Sequence, residues 1–334
     1  MAASPPEIPA ESGIATIPLP TPFAVGRVNC YLLEDDPLVL IDPGPRSVEA
    51  LAELEEALAA RGRRLEDVGL VLITHQHLDH TGLAGTVAGR SGAEIACIAP
   101  LADMLADFEA ASAADDDYQV AVMLRNGVPE ETALTLRDIS ASYRRFGAAA
   151  TVGRRLGDGD RIATGSGRTL RVVHVPGHSP TDTLFVDEDR AIAFAGDHLL
   201  ARISSNPVIH RPIEGPADPT RRVPVLATYL DSLRRTRELD LALVLGGHGR
   251  PVADHRRLID DRIAHHDERK DEIARLVAER PRNAHQLARA IWGDIALRQA
   301  YLTLCEVLGH TDLLVAEGRI RQRERDGVAV FGAA

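Results

Sequence analysis

Three imidazoles and one carboxylate fall within six consecutive positions, His75 to His80, in the segment Thr74-His75-Gln76-His77-Leu78-Asp79-His80. The segment follows directly on Val68-Gly69-Leu70-Val71-Leu72-Ile73, an apolar run that reads as a buried strand. In extended backbone His75 and His77 project the same way, because side chains alternate with period two. Asp79 and His80 fall where the chain turns, so they face a second point in space. One short segment can therefore serve two metal ions. Imidazole with carboxylate suits zinc and similar borderline metals.

Four more features stand at strand ends. Val175-Pro176-Gly177-His178-Ser179 follows a strand at 170–175, and Ala195-Gly196-Asp197-His198 follows one at 191–195. Leu245-Gly246-Gly247-His248-Gly249 follows a strand at 241–245, and Asp42 closes one at 38–41. The glycines let the backbone turn tightly and bring the next side chain close to a site. Side chains at the ends of several strands converge on one edge of a sheet.

Strand and helix signals alternate in two halves, which predicts an α/β sandwich with its sheets inside. Residues 1–13 read as a disordered leader and 14–253 as the main unit. Ser47 fits an N-cap for a helix from Val48 to about Ala60. Residues 101–148 read as a helical insertion between the halves, a candidate lid or outer-layer packing, with the Asp115-Asp116-Asp117 run as a solvated helix start. Residues 254–334 read as helices at 255–279, 284–291 and 296–308 and then a hairpin from Arg319 to Phe331. Three helices and a hairpin make a winged-helix arrangement.

The set THxHxDH, a PGHS-type His, a GD-type Asp and a GGHG-type His resembles the metallo-β-lactamase-fold hydrolase superfamily over roughly residues 14–252. The resemblance implies a four-layer αββα sandwich. It implies that His75, His77 and His178 hold one divalent ion, that Asp79, His80 and His248 hold a second, and that Asp197 bridges them. Asp42 matches a carboxylate that orients a ligand His. Zn2+ is the expected metal, with Mn2+ and Fe2+ as alternatives. The implied chemistry is attack by a metal-bridging hydroxide, with Asp79 both ligand and proton acceptor. The family more often has Pro-Gly before the last His where this chain has Gly246-Gly247. Val307-Leu308-Gly309-His310 and Leu313 to Arg319 resemble the winged-helix extension of the lactamase-β-like protein 2 subgroup.

Around these ligands, His198, Arg202, Asn206 and Arg211 are candidate substrate contacts, with a packed role also open to His198. His174 reads as a core residue. His210, His255, His265, His266, His285 and His310 lack strand-end context and are assigned no metal role. The net charge of −11 disfavours non-specific nucleic-acid binding. Residues 256–334 hold fourteen Arg and Lys against thirteen Asp and Glu, a net of +1, which suits a pocket wall or homodimer contact better than a DNA reader. Cys30, Cys97 and Cys305 are far apart and fit a reducing cytoplasm. Neither a signal peptide nor a membrane span is read.

The leading expectation is a cytoplasmic hydrolase of a small acyl molecule, a thioester or lactone. A single-strand endoribonuclease, a mononuclear iron dioxygenase of the persulfide type and a metal-sensing regulator are the alternatives. Asp197, His80 and His248 favour a second metal over the dioxygenase.

Overall fold

The computed structural model describes residues 6–165 and 167–334. In the first sheet β1 (Ile14–Leu19), β2 (Val28–Leu33) and β3 (Leu38–Ile41) run antiparallel to one another. The strands β4 (Val68–Leu72), β5 (Glu94–Ile98) and β6 (Arg154–Leu156) extend it in parallel. The second sheet holds β7 (Arg161–Ala163), β8 (Thr169–His174), β9 (Thr183–Asp187), β10 (Ile192–Gly196) and β11 (Leu243–Gly246), in the order β11-β10-β9-β8-β7. Only its β10–β11 pair is parallel.

The apolar run before the metal loop splits by period two once folded. Leu70 and Leu72 face Val172, Phe185, Phe194 and Leu245 between the sheets. Val71 and Ile73 face outward onto Leu54, Leu58, Val87 and Leu101. Those last four sit on the helices Val48–Ala59, Ala84–Ser91 and Ala99–Ala106. The helices Val225–Arg237 and His255–Glu279 cover the other sheet through Leu226, Tyr229, Leu233 and Ile259. The expected layering of helix, sheet, sheet, helix is present. A strand buried on both faces needs an uninterrupted apolar run, which is why β3 and β4 read as they do.

The carboxyl ends of β3 and β4 lie at one edge because the pair is parallel, as do those of β8, β10 and β11. The sheets touch at that edge: Asn29 N–H donates to Gly247 O at 2.7 Å, and Val28 bridges to His248. At the opposite edge Arg168, 2% exposed, donates to Asp187 at 2.6 Å, Asp35 at 3.2 Å and the Ser12 carbonyl at 2.6 Å.

The helices Ala284–Trp292, Ile295–Arg298 and Ala300–Ala316 and the hairpin of β12 (Ile320–Arg325) and β13 (Val328–Ala333) complete the chain. The hairpin turns at Asp326 and Gly327, with φ of 52° and 78°, the left-handed pair that a two-residue turn requires. Leu287, Leu304, Leu308 and Phe331 pack there with Tyr118, Val122 and Met123 of the helix Phe108–Arg125. Among the described residues no helix is long and apolar enough to cross a membrane.

Three expectations need correction. The leader is not loose throughout: Ala10–Ser12 forms a 3-10 turn, Ser12 is buried, and Ile8 packs on the inter-sheet core. Residues 1–5 of that leader lie outside the described residues. The Asp115–Asp117 run is not a helix start. It lies mid-helix in Phe108–Arg125, with Asp116 buried against Arg144 and Asp115 paired with Arg211. The last long helix begins at Ala300, after a separate short turn at Ile295–Arg298.

Candidate metal centre

Asp42 ends β3 with φ of 55°, a left-handed conformation rare for any residue with a side chain. That turn lets Oδ1 accept from Thr74 N–H at 2.9 Å while Oδ2 accepts from Thr74 Oγ1 at 2.7 Å. Asp42 Oδ2 also meets His80 Nδ1 at 2.8 Å. The chain therefore leaves β4 in a fixed direction. Thr74 Oγ1 in turn touches His75 Nδ1 at 3.0 Å. A single helical turn, Leu78–Thr81, then carries Asp79 and His80, with the His80 ring centroid 4.1 Å from that of His75.

His75 Nε2 and His178 Nε2 lie 3.1 and 3.0 Å from His77 Nδ1. A tetrahedral zinc with arms of about 2.0–2.1 Å separates its nitrogens by about 3.3 Å. His178 presents Nε2 because its Nδ1 meets the Asn206 carbonyl at 3.0 Å. His248 is held alike, Nδ1 on the Arg27 carbonyl at 2.8 Å. Its Nε2 lies 3.3 Å from Asp79 Oδ2 and 3.5 Å from Asp197 Oδ2. Asp197 Oδ1 is 3.6 Å from His80 Nε2, and Oδ2 is 3.8 Å from His178 Nε2. Asp197 thus spans the group His75, His77, His178 and the group Asp79, His80, His248, in each of which the ligand atoms lie within 4.8 Å of one another.

The electrostatics ask for cations. Burial pushes His77 down to about 3 and His178 to about 4, so both rings are neutral and offer lone pairs. Burial also lowers His80, but Asp79, Asp42 and Asp197 override it and push the ring up to about 10. His80 Nε2, His248 Nε2 and Asp197 Oδ1 are all buried without a hydrogen-bond partner. Buried orphans of this kind are costly, and divalent ions would satisfy all three at once. The donor set fits such ions.

The other expected contacts divide. Asn206 is beside the site, its carbonyl on His178 and its Nδ2 on the Leu302 carbonyl at 2.9 Å. Arg211 is held by Asp115 at 3.2 Å and lines a cavity with Pro180 and His210. Arg202 is exposed. Of the two roles open to His198 it takes the packed one, the reading the sequence favours: it is 0% exposed and turns to Thr236 Oγ1 at 2.8 Å.

Sequence reasoning missed three supports. Thr74 ties Asp42 to His75. Asp182 accepts from Ser179 N–H and Oγ, both at 2.8 Å, and fixes the loop that carries His178. Gly247 leaves no room for a side chain: a Cβ there would lie 2.4 Å from Asp197 Oδ1 and 2.5 Å from His80 Cε1. The GGHG pattern was the available signal for the last of these and the leading Thr of THxHxDH for the first; nothing local marked Asp182.

The profile described as Metallo-beta-lactamase superfamily matches residues 24–248. A probable metallo-hydrolase, YqjP of Bacillus subtilis, is 32% identical over 92% of this chain and 93% of its own length. Hydroxyacylglutathione hydrolase GloC of Haemophilus influenzae is 25% identical over 53% of this chain and 69% of its own. The crystal structure of a beta-lactamase domain protein from Burkholderia ambifaria superposes with a TM-score of 0.82 at 28% identity, covering 96% of this chain and 92% of that one.

Proposed function

This chain belongs to the metallo-beta-lactamase superfamily, and on that premise we propose that it is a binuclear metal-dependent hydrolase of a small acyl substrate, a thioester or lactone. The observation that carries the reading is Asp197, whose two oxygens face both ligand groups. His75, His77 and His178 would hold one Zn2+, and Asp79, His80 and His248 the other. Such ions supply a nucleophile at neutral pH and a Lewis acid for the carbonyl under attack.

The chain's own residues do the rest. Asp79 stays ionised: burial raises its carboxyl, but His80 and His248 override that and hold it below the ordinary range. An ionised Asp79 is the available proton acceptor at the site. Asp42 fixes which nitrogen His80 presents, and Asn206 and Arg27 do the same for His178 and His248. A cavity of about 370 Å³ lined by Pro100, Pro176, Gly177, Pro180, Ile213 and Val225 adjoins the loop of His178. Its size and apolar wall suit a small acyl group. The relative named as a hydroxyacylglutathione hydrolase supports a thioester. Residues 14–253 form the hydrolase unit in this reading. Residues 254–334 form a winged-helix unit that serves as pocket wall or dimer contact. A cytoplasmic location agrees with the three buried free thiols.

The test is a metal count joined to a substrate panel. Two zinc per chain and hydrolysis of S-lactoylglutathione or an acyl-homoserine lactone, lost in Asp79→Ala, are expected. Cleavage of single-stranded RNA without acyl activity, or one iron per chain with oxygen uptake, overturns the reading.

A further inference from the structure

Away from the strand ends, one ligand atom from each of His266, Glu306 and His310 comes within 4.8 Å of the others. His266 stands on the helix His255–Glu279, and Glu306 and His310 lie one turn apart on Ala300–Ala316. His310 is 0% exposed and His266 2%, while Glu306 faces a cavity of about 440 Å³ lined also by Ser204, Trp292, Leu302 and Thr303.

The ring geometry repeats that of the metal centre. His310 Nδ1 is tied to the Glu306 carbonyl at 2.7 Å, as Nδ1 of His178 and of His248 are tied to carbonyls. That bond makes Nε2 the nitrogen with the free lone pair. His310 Nε2 lies 3.2 Å from His266 Nδ1, close to the 3.0 and 3.1 Å between the rings of His75, His77 and His178.

Counting protons shows what the cluster lacks. With both rings neutral, one N–H serves the Glu306 carbonyl and the other lies between the rings. A cation between the rings would take His266 Nδ1 and His310 Nε2 in place of that proton, which moves to His266 Nε2 on the far side of the ring. Among the described residues the Glu306 carboxyl has no Arg or Lys nitrogen within 4.0 Å. Arg269, the nearest cation it feels, donates to Glu272 at 2.5 Å and lies over the Trp292 ring. Burial pushes the Glu306 carboxyl up to about 7, and a cation at the cluster would replace that proton and hold the carboxylate ionised.

We propose that His266, Glu306 and His310 form a third divalent-cation site, separate from the His75–His248 centre, that clasps the two long C-terminal helices together. Two imidazoles and a carboxylate select zinc or a neighbouring transition metal over Mg2+ or Ca2+. Three protein ligands leave a position open toward the cavity at Glu306, which water fills. Burial keeps His266 at about 3 and His310 at about 4, so neither ring must lose a proton to bind. Arg262, Arg269 and Lys270 add positive field nearby, so this site fills after the main centre.

Full-length protein titrated with Co2+, with metal counted after gel filtration, tests the site. Wild type is expected to retain one equivalent more than Glu306→Gln or His266→Gln. Equal metal content in folded wild type and variants would reduce the cluster to a hydrogen-bonded histidine pair and overturn the proposal. If neither variant folds, anomalous scattering from wild-type crystals grown with Co2+ decides. A peak between the helices supports the site, and no peak there beside a filled main centre refutes it.

Discussion

Asp42 holds an uncommon backbone conformation, and its carboxylate is what justifies it. Asn adopts the same left-handed turn readily, so Asp42→Asn should preserve the backbone. It loses one of the acceptors shared by Thr74 and His80, and metal affinity should fall about 10–100-fold. Competition with a chromophoric chelator measures this, and unchanged affinity would show that Asp42 only shapes the turn. Two glycines give a sharper contrast. Gly247→Ala drives a methyl into Asp197 and His80, neither of which can yield without leaving the site. Metal content and turnover should collapse together. Gly89, on the helix Ala84–Ser91, has open space around its Cβ position. Gly89→Ala should stabilise the protein by about 0.5–1 kcal/mol with activity intact, read by urea denaturation.

At the scale of elements, Asn206 couples the C-terminal helix to the metal centre: its carbonyl holds His178 and its side chain holds the Leu302 carbonyl. Asn206→Ala keeps the first bond and cuts the second. The segment 201–224 should loosen, and turnover should fall several-fold with metal content unchanged. Turnover equal to wild type would mean the helix does not support this segment. The strand-end ligands were legible in the sequence because each group is announced locally, by an apolar run before it and, at His178, Asp197 and His248, by a Gly directly before the ligand. The Asp115–Asp117 run misled for the opposite reason. Its partners Arg144 and Arg211 are distant in sequence, and only tertiary packing buries Asp116 and pairs Asp115 within a solvated-looking run. His266 and His310 were unreadable likewise, since their meeting depends on how two helices cross.

For the molecule as a whole, charge has been buried where it must be matched. Burial outweighs Arg222 at Asp312 and pushes the carboxyl up to about 6. A raised carboxyl contributes stability that is full below its unfolded value near 4 and lost as pH rises through about 6. Asp312→Asn should therefore gain stability relative to wild type between pH 4 and pH 7 (approximate bounds); parallel urea midpoints across that window would contradict it. The network of Arg168 with Asp35, Asp187 and Ser12 is the larger commitment. Arg168→Met removes the buried cation that Asp35 and Asp187 share, leaving Asp187 with Arg190 and Asp35 with Thr164, and should cost about 3 kcal/mol. Metal content per folded molecule should stay the same, because the network lies at the far edge from the ligands. Fastened by ion pairs at one rim and by converging His and Asp ligands at the other, the two leaves of the sandwich are held from both sides. A substrate must then come in over the top, past the 201–224 stretch and the helices between β5 and β6, and a change of diet would be written in those segments while the leaves stay as they are.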